Sequence, residues 1–124
     1  MQVQWILRIG VFGTFLGHGI FAFSVKPAWV VFLTTVGFSG EMAVKLMPVI
    51  GVIDIIIAVL ALVKPMRVVL IYAFIWALAT AIMRPVVGLP IWDFVERSSN
   101  WAVPLALLFL AGLPRKFSDL FKIE

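Results

Sequence analysis

Residues 45–63 read KLMPVIGVIDIIIAVLALV. A helix that crosses a bilayer needs about 20 mainly apolar residues. This stretch has that length, and its one acidic residue, Asp54, falls near the middle. A carboxylate at that depth is costly unless it is protonated, paired or wetted. The stretch therefore predicts a membrane bundle with a polar centre, and the flanking sequence should supply the other spans.

It does. Lys64-Pro65 makes a tight turn, with the proline opening the next helix. Residues 66–83, MRVVLIYAFIWALATAIM, read as a further span, and so do residues 5–24. Residues 99–113, SNWAVPLALLFLAGL with Ser99 at the start, are short for a fourth. They reach spanning length only if the helix begins near Trp92 or the bilayer thins locally, and Pro104 should kink them. Residues 26–44 are too apolar for an ordinary loop and too short to cross and return; Pro27 to about Val36 reads as an interfacial or re-entrant helix ended by Gly37 and Gly40. In the tail, 114–124, Phe117, Leu120 and Phe121 share a helical face beside Arg115, Lys116 and Lys122, the pattern of an amphipathic helix on headgroups. The expectation is one all-α membrane domain over residues 1–124: a four-transmembrane-helix bundle with a short interfacial or re-entrant helix between spans one and two.

Composition agrees. The chain is 64% hydrophobic and 13% charged, where globular domains carry about 25% charged residues. A water-soluble domain of this size cannot hide so much apolar surface. With no cysteine and one histidine, thiolate metal sites, disulfides and a haem held by two histidines of the chain are excluded. The net charge of +4 comes from scattered residues without a basic, aromatic-interleaved patch, so nucleic acid is not an expected partner. Met1-Gln2-Val3-Gln4 lacks a positive leader and no small-residue cleavage site follows, so residues 5–24 are expected to be a retained span. With four spans, Arg8, Lys64, Arg67, Arg115, Lys116 and Lys122 share one side, against Lys26, Lys45, Arg84 and Arg97 on the other. That excess favours a multi-pass protein of the cell inner membrane with both termini cytoplasmic, and is small enough to allow dual insertion.

Polar groups at membrane depth are the candidate site. In span one, Gly10, Gly13, Thr14 and Gly17 fall on one side, with Gly13 and Gly17 as a GxxxG pair for close helix approach, and His18 at its edge. Arg8 projects roughly opposite and is expected to reach the headgroups. In span two, Met47, Gly51, Asp54, Ala58 and Ala61 share a face. His18 and Asp54 lie at comparable depth, so a hydrogen-bonded pair is one expectation; two separate polar residues holding helices together is the plain alternative. In span three, Tyr72, Trp76, Thr80 and Arg84 form an i, i+4 ladder beside an alanine stripe, Ala73, Ala77 and Ala81. Trp29, Trp92 and Trp101 gather at the outer end, either as an aromatic belt or, with Arg84 held by Asp93 or Glu96, as a vestibule suited to a flat ring such as a quinone. Glu41 and Lys45 fit an exposed i, i+4 ion pair. Thr34, Thr35, Ser98 and Ser99 read as turn and cap residues, and no nucleophile–base set, phosphate loop or metal cluster stands out.

The order of features resembles the DoxX-like family of small four-helix membrane proteins. LRIGVFGTFLGHGIFAF matches its arginine-and-glycine first helix and KPAWVVF its re-entrant-like piece. MPVIGVIDIIIAVLAL is similar to its Gly-x-x-acidic second helix, with Asp54 in the acidic position, and VERSSNWAVPLALLFL fits the end more loosely. His18 stands where the family often has a lysine-like residue. The resemblance implies a four-helix bundle; some relatives are subunits of thiosulfate–quinone oxidoreduction or partners of redox proteins. Three functions follow as expectations. One is a redox- or stress-associated protein that binds a quinone or membrane lipid near His18, Asp54 and Trp76. Another is a proton-coupled transporter acting as a dual-topology homodimer through Asp54. The third is a non-catalytic anchor or assembly subunit that depends on a protein partner.

Overall fold

The computed structural model describes residues 2–123, and among them 81% are helical and none is in a strand. Six α-helices follow in order: α1 (Gln2–Phe23), α2 (Pro27–Thr35), α3 (Gly40–Val63), α4 (Arg67–Val86), α5 (Ile91–Val95) and α6 (Ser98–Ala111). A 3-10 turn, Phe117–Phe121, closes the tail. Three of the helices, α1, α3 and α4, are long and apolar enough to cross a membrane. Ile6, Ile20, Val49, Ile56, Ile75 and Phe109 stand exposed around the bundle, as side chains meeting acyl tails would.

Several boundaries differ from the sequence reading for local reasons. α3 starts at Gly40, not near Lys45, because the Ser39 hydroxyl accepts from the Met42 amide at 3.1 Å and caps the helix. Glu41 and Lys45 pair at 3.1 Å in its first turns. The longer helix that a start near Trp92 would give does not form: α5 ends at Val95, Arg97 leaves helical geometry with φ −94° and ψ 11°, and α6 begins at Ser98, close to the expected 99. α6 has 14 residues. The tail forms a single 3-10 stretch of five residues with Phe117 and Phe121 exposed, their rings 5.5 Å apart, and Leu120 half-buried.

Packing runs α3–α1–α6–α4. α1 lies along α3, α4 along α6, and α1 also meets α6, while α3 and α4 touch little although a short turn joins them. Without a hydrophobic drive between helices in lipid, close approach through small residues decides which pairs associate. Alanines do this on α3 and α4: Ala43, Ala58 and Ala61, and Ala73, Ala77 and Ala81, are all at most 1% exposed. Between α1 and α3 glycines do it, but not the expected ones. The buried face of α1 is Val11, Phe15, Gly19 and Ala22. A Cβ on Gly51 would lie 2.5 Å from the Phe23 nitrogen and 2.6 Å from the Gly19 carbonyl oxygen, backbone against backbone. A Cβ on Gly13 or Gly17 would meet nothing within 4 Å. The GxxxG pair therefore does not form the helix crossing; Gly19 and Gly51 do.

The end that carries the N-terminus of α1 and the tail is stitched by arginines. Arg8 does not reach for headgroups: its guanidinium donates to the Leu62 carbonyl at the end of α3 and stacks over Trp5 at 4.0 Å. Arg67 is buried and donates to the Ala111 and Gly112 carbonyls at the end of α6, and to the Asp119 carbonyl at 3.4 Å. A helix leaves its last four carbonyls without partners and carries a partial negative charge there. Both arginines supply donors and charge at that point.

Candidate functional site

At the opposite end the bundle is open. A cavity of about 550 Å³ lies between α3 and α4, closed on one side by α2 and the second half of α1. Helical periodicity delivers its polar groups. α3 places Met47, Ile50 and Asp54 on it, α4 places Trp76, Thr80 and Arg84, and α1 contributes His18. Nine residues separate Asp54 from the end of α3 at Val63, so it sits about 13 Å from that end at 1.5 Å per residue. It is 2% exposed, and its Oδ1 is buried without a hydrogen-bond partner. From Trp76 to Arg84 the cavity wall runs two helical turns, from the middle of the bundle to the outer end of α4.

α2 roofs the cavity with Trp29, Phe32, Leu33 and Val36, an i, i+3, i+4, i+7 set. Its aromatics meet the basic groups. The His18 ring stands edge-on to Trp29, centroids 5.4 Å apart. Arg84 lies 4.9 Å from the Phe32 ring centre and 6.0 Å from that of Trp29, and Lys26 lies 5.0 Å from Trp29. Such guanidinium–ring contacts are attractive, the more so away from water. Arg84 is 3% exposed, and its Nη1 donates to the Thr80 carbonyl of its own helix at 2.6 Å. The Thr80 hydroxyl donates to Ala77 at 3.0 Å. Tyr72 continues the α4 ladder below, stacked on Trp76 at 6.2 Å.

The structure thus gathers His18, Asp54, Trp76, Thr80, Arg84 and Trp29 around one space. Trp92, Asp93, Glu96 and Trp101 do not line it. Trp92 is 71% exposed, on the one-turn α5. Trp101 packs on Phe74 at 6.3 Å, inside the α4–α6 seam, with its indole nitrogen buried and unpartnered. Two expected pairings are not made. His18 and Asp54 share the cavity but no hydrogen bond joins them, since the imidazole turns to Trp29 under α2 while the carboxyl points inward on α3. Arg84 forms no ion pair with Asp93 or Glu96; among the described residues the ion pairs are Lys45–Glu41 and Lys122–Asp119. Those carboxylates, at the break between α5 and α6, act on Arg84 only through space, and the guanidinium lies against the α2 aromatics.

Phe32, Leu33, Met47 and Ile50 were not anticipated as wall residues. Their signal was available: the α2 set repeats at helical spacing, and Met47 and Ile50 precede Asp54 on one face of α3. No group of His, Asp and Glu among the described residues could hold a metal ion. No protein-family model matches the chain, and neither a curated protein nor a solved structure matches it.

Proposed function

We propose that this is a small membrane protein of the DoxX-like type whose cavity binds a quinone or a membrane lipid, in a redox- or stress-associated setting. The cavity between α3 and α4, with His18, Asp54 and Arg84 on otherwise apolar walls, carries this reading. Ligand sites are concave, mostly apolar and orient their ligand with a few polar groups. The residues suit a quinone. Trp29 and Trp76 offer flat faces, and the unpartnered Asp54 oxygen offers an acceptor or, protonated, a donor. A bound quinone would supply two-electron redox capacity; His18 and Asp54 would orient the ring and hold protons, and the apolar walls would exclude water.

In this reading α6 makes a fourth crossing. Its 14 residues span about 21 Å at 1.5 Å per residue, so α5 and local thinning of the bilayer complete the distance. α2 then lies at the interface as cover, and the six-to-four charge excess puts both termini in the cytoplasm of a cell inner membrane. The test is direct. Protein purified in a neutral detergent should release a quinone or lipid on extraction, identified by mass spectrometry. It should also rebind a short-chain quinone with quenching of tryptophan fluorescence. Asp54→Asn should fold and lose that binding. Protein that neither retains nor rebinds quinone or lipid removes the reading.

The unpartnered Asp54 oxygen also favours a second reading, a proton-coupled transporter in which that carboxyl exchanges substrate and proton. Uptake into proteoliposomes driven by a pH gradient, with both termini labelled to count orientations, separates the two. An anchor subunit would show neither property and would instead co-purify with its partner.

A further inference from the structure

We propose that the cavity takes an anionic, single-headed amphiphile, a long-chain carboxylate or phosphate monoester, with its head on Arg84 and its chain leaving between α3 and α4 into the bilayer. This rests on the reading of the cavity as a ligand site and narrows it to one chemical class.

The two arginines buried in the bundle show why. Arg67 and Arg84 are 7% and 3% exposed. Arg67 spends its donors on three carbonyls, those of Ala111, Gly112 and Asp119. Arg84 makes one hydrogen bond, to Thr80 of its own helix. A guanidinium has five N–H donors and cannot shed its proton at ordinary pH. No carboxylate of the described residues pairs with it. Phe32 and Trp29 flank the cation but accept no conventional hydrogen bond from it. Lys26, another cation at this end, is also held over Trp29 and Phe21 and not by an acid. So the outer end of the cavity holds basic groups against aromatic faces with no ion pair from the chain; Asp93 and Glu96 attract Arg84 only from beyond contact, and Arg97 repels it. An oxyanion head matches the planar fork of arginine bidentately, and that bond is strongest where water is excluded.

The rest of the cavity says what is attached to the head. Its walls below Arg84 are Ile50, Ile53, Ala79 and Met83. Val49 and Ile53 are 53% and 40% exposed, so the wall is continuous with the lipid-facing side of α3. The gap opens sideways because α3 and α4 scarcely touch. A small inorganic anion would leave all of that surface uncovered; an acyl chain covers it and exits into hydrocarbon. The deep end, at Asp54, offers no cation to an anionic head, and so the head lies outward on Arg84.

The test uses the full chain in dodecyl maltoside, titrated with 11-(dansylamino)undecanoic acid and with its methyl ester. The acid is expected to bind more tightly by about tenfold or more, as for a charge-assisted hydrogen bond. Oleate and oleyl phosphate should displace it and oleyl alcohol should not. Arg84→Gln should abolish the preference for the acid over the ester, and Arg84→Lys should keep part of it. Equal binding of acid and ester overturns the proposal and leaves the cavity a ligand site. Displacement by inorganic phosphate at the concentrations where oleate acts also overturns it, by placing a free anion on Arg84. Binding of neither probe overturns this proposal; only if quinone and lipid are also neither retained nor rebound does the reading beneath it fall. Should Arg84→Gln fail to fold, the acid-to-ester ratio of the native protein and the Arg84→Lys variant still decide.

Discussion

The two ends of the bundle treat buried charge in opposite ways. At the end bearing the tail, Arg8 and Arg67 meet the terminal carbonyls of α3 and α6, and the helices close around them. At the other end, Arg84 has one carbonyl of its own helix, Asp54 keeps an oxygen without a partner, and a cavity of about 550 Å³ stands between them. Polar groups at membrane depth are costly unless satisfied. At the tail end, Arg67 above all holds helices together, with all its hydrogen bonds on carbonyls of other segments. The other end leaves Asp54 and Arg84 facing a space, as binding sites do. For Arg67 and Arg84, both buried, the hydrogen bonds differ: three carbonyls from other segments against one of its own helix, which separates an arginine that builds from one that binds.

The contrast breaks first at Arg67. Replacing it with methionine removes three side-chain hydrogen bonds and strands the carbonyls of Ala111 and Gly112. Each carbonyl left buried without a donor costs about 1–3 kcal/mol. Equilibrium unfolding in mixed micelles should show a loss of that order, with early proteolysis after residue 111 as the end of α6 frays. A change under about 1 kcal/mol would mean that Arg67 stitches nothing.

Next in size is Gly51→Ala. Its new methyl would sit 2.5 Å from the Phe23 nitrogen, so α1 and α3 must separate. Overpacking of this kind costs about 1–3 kcal/mol. Gly13→Ala meets nothing within 4 Å and should be neutral or gain up to about 1 kcal/mol from helix propensity. The same unfolding assay checks both. Equal effects would return the helix crossing to the GxxxG face.

Smaller again is the stability effect of Arg84→Gln, expected below about 1 kcal/mol in either direction. The single bond it loses is to a carbonyl that already serves its own helix. If this variant proves as costly as Arg67→Met, the two ends are alike and Arg84 is structural.

How far the sequence foretold this depends on where each partner lies. The α3 face of Met47, Gly51, Asp54, Ala58 and Ala61 was legible from helical spacing alone, and all five are buried. The alanine stripe of α4 was legible for the same reason. The packing face of α1 was not. Both of its sides carry glycines, and what selects Gly19 is Gly51 on another helix, which spacing within α1 cannot reveal. The arginines follow the same rule: Arg8 and Arg67 read as topology charges because their acceptors belong to helices distant in sequence, 54 and 45 residues away for Leu62 and Gly112. Trp92 and Trp101, equivalent on paper, part company at the Glu96-Arg97 break, one to the surface and one into the α4–α6 seam.

The smallest expected effect lies at the closed end and concerns pH. Asp119 Oδ2 accepts from the Arg115 amide at 3.0 Å and the Lys116 amide at 3.3 Å, and its Oδ1 pairs with Lys122 at 3.4 Å. These donors, the Arg115 amide foremost, hold the carboxyl below its ordinary value. A carboxyl whose folded value is depressed stabilises the fold above its unfolded value of about 3.9, and the contribution fades as pH falls through the lower folded value. Because the Asp119 carbonyl also accepts from Arg67, the tail turn and the stitch at the end of α6 are linked. Acidification from pH 6 to 3 should therefore lower the protection of the Arg115 and Lys116 amides, their exchange taken relative to the intrinsic rate at each pH, ahead of any change in α4 or α6. Asp119→Asn should leave both amides weakly protected at every pH and lose the step. A step that persists in Asp119→Asn would assign the acid sensitivity elsewhere and leave the closed end held by Arg67 alone.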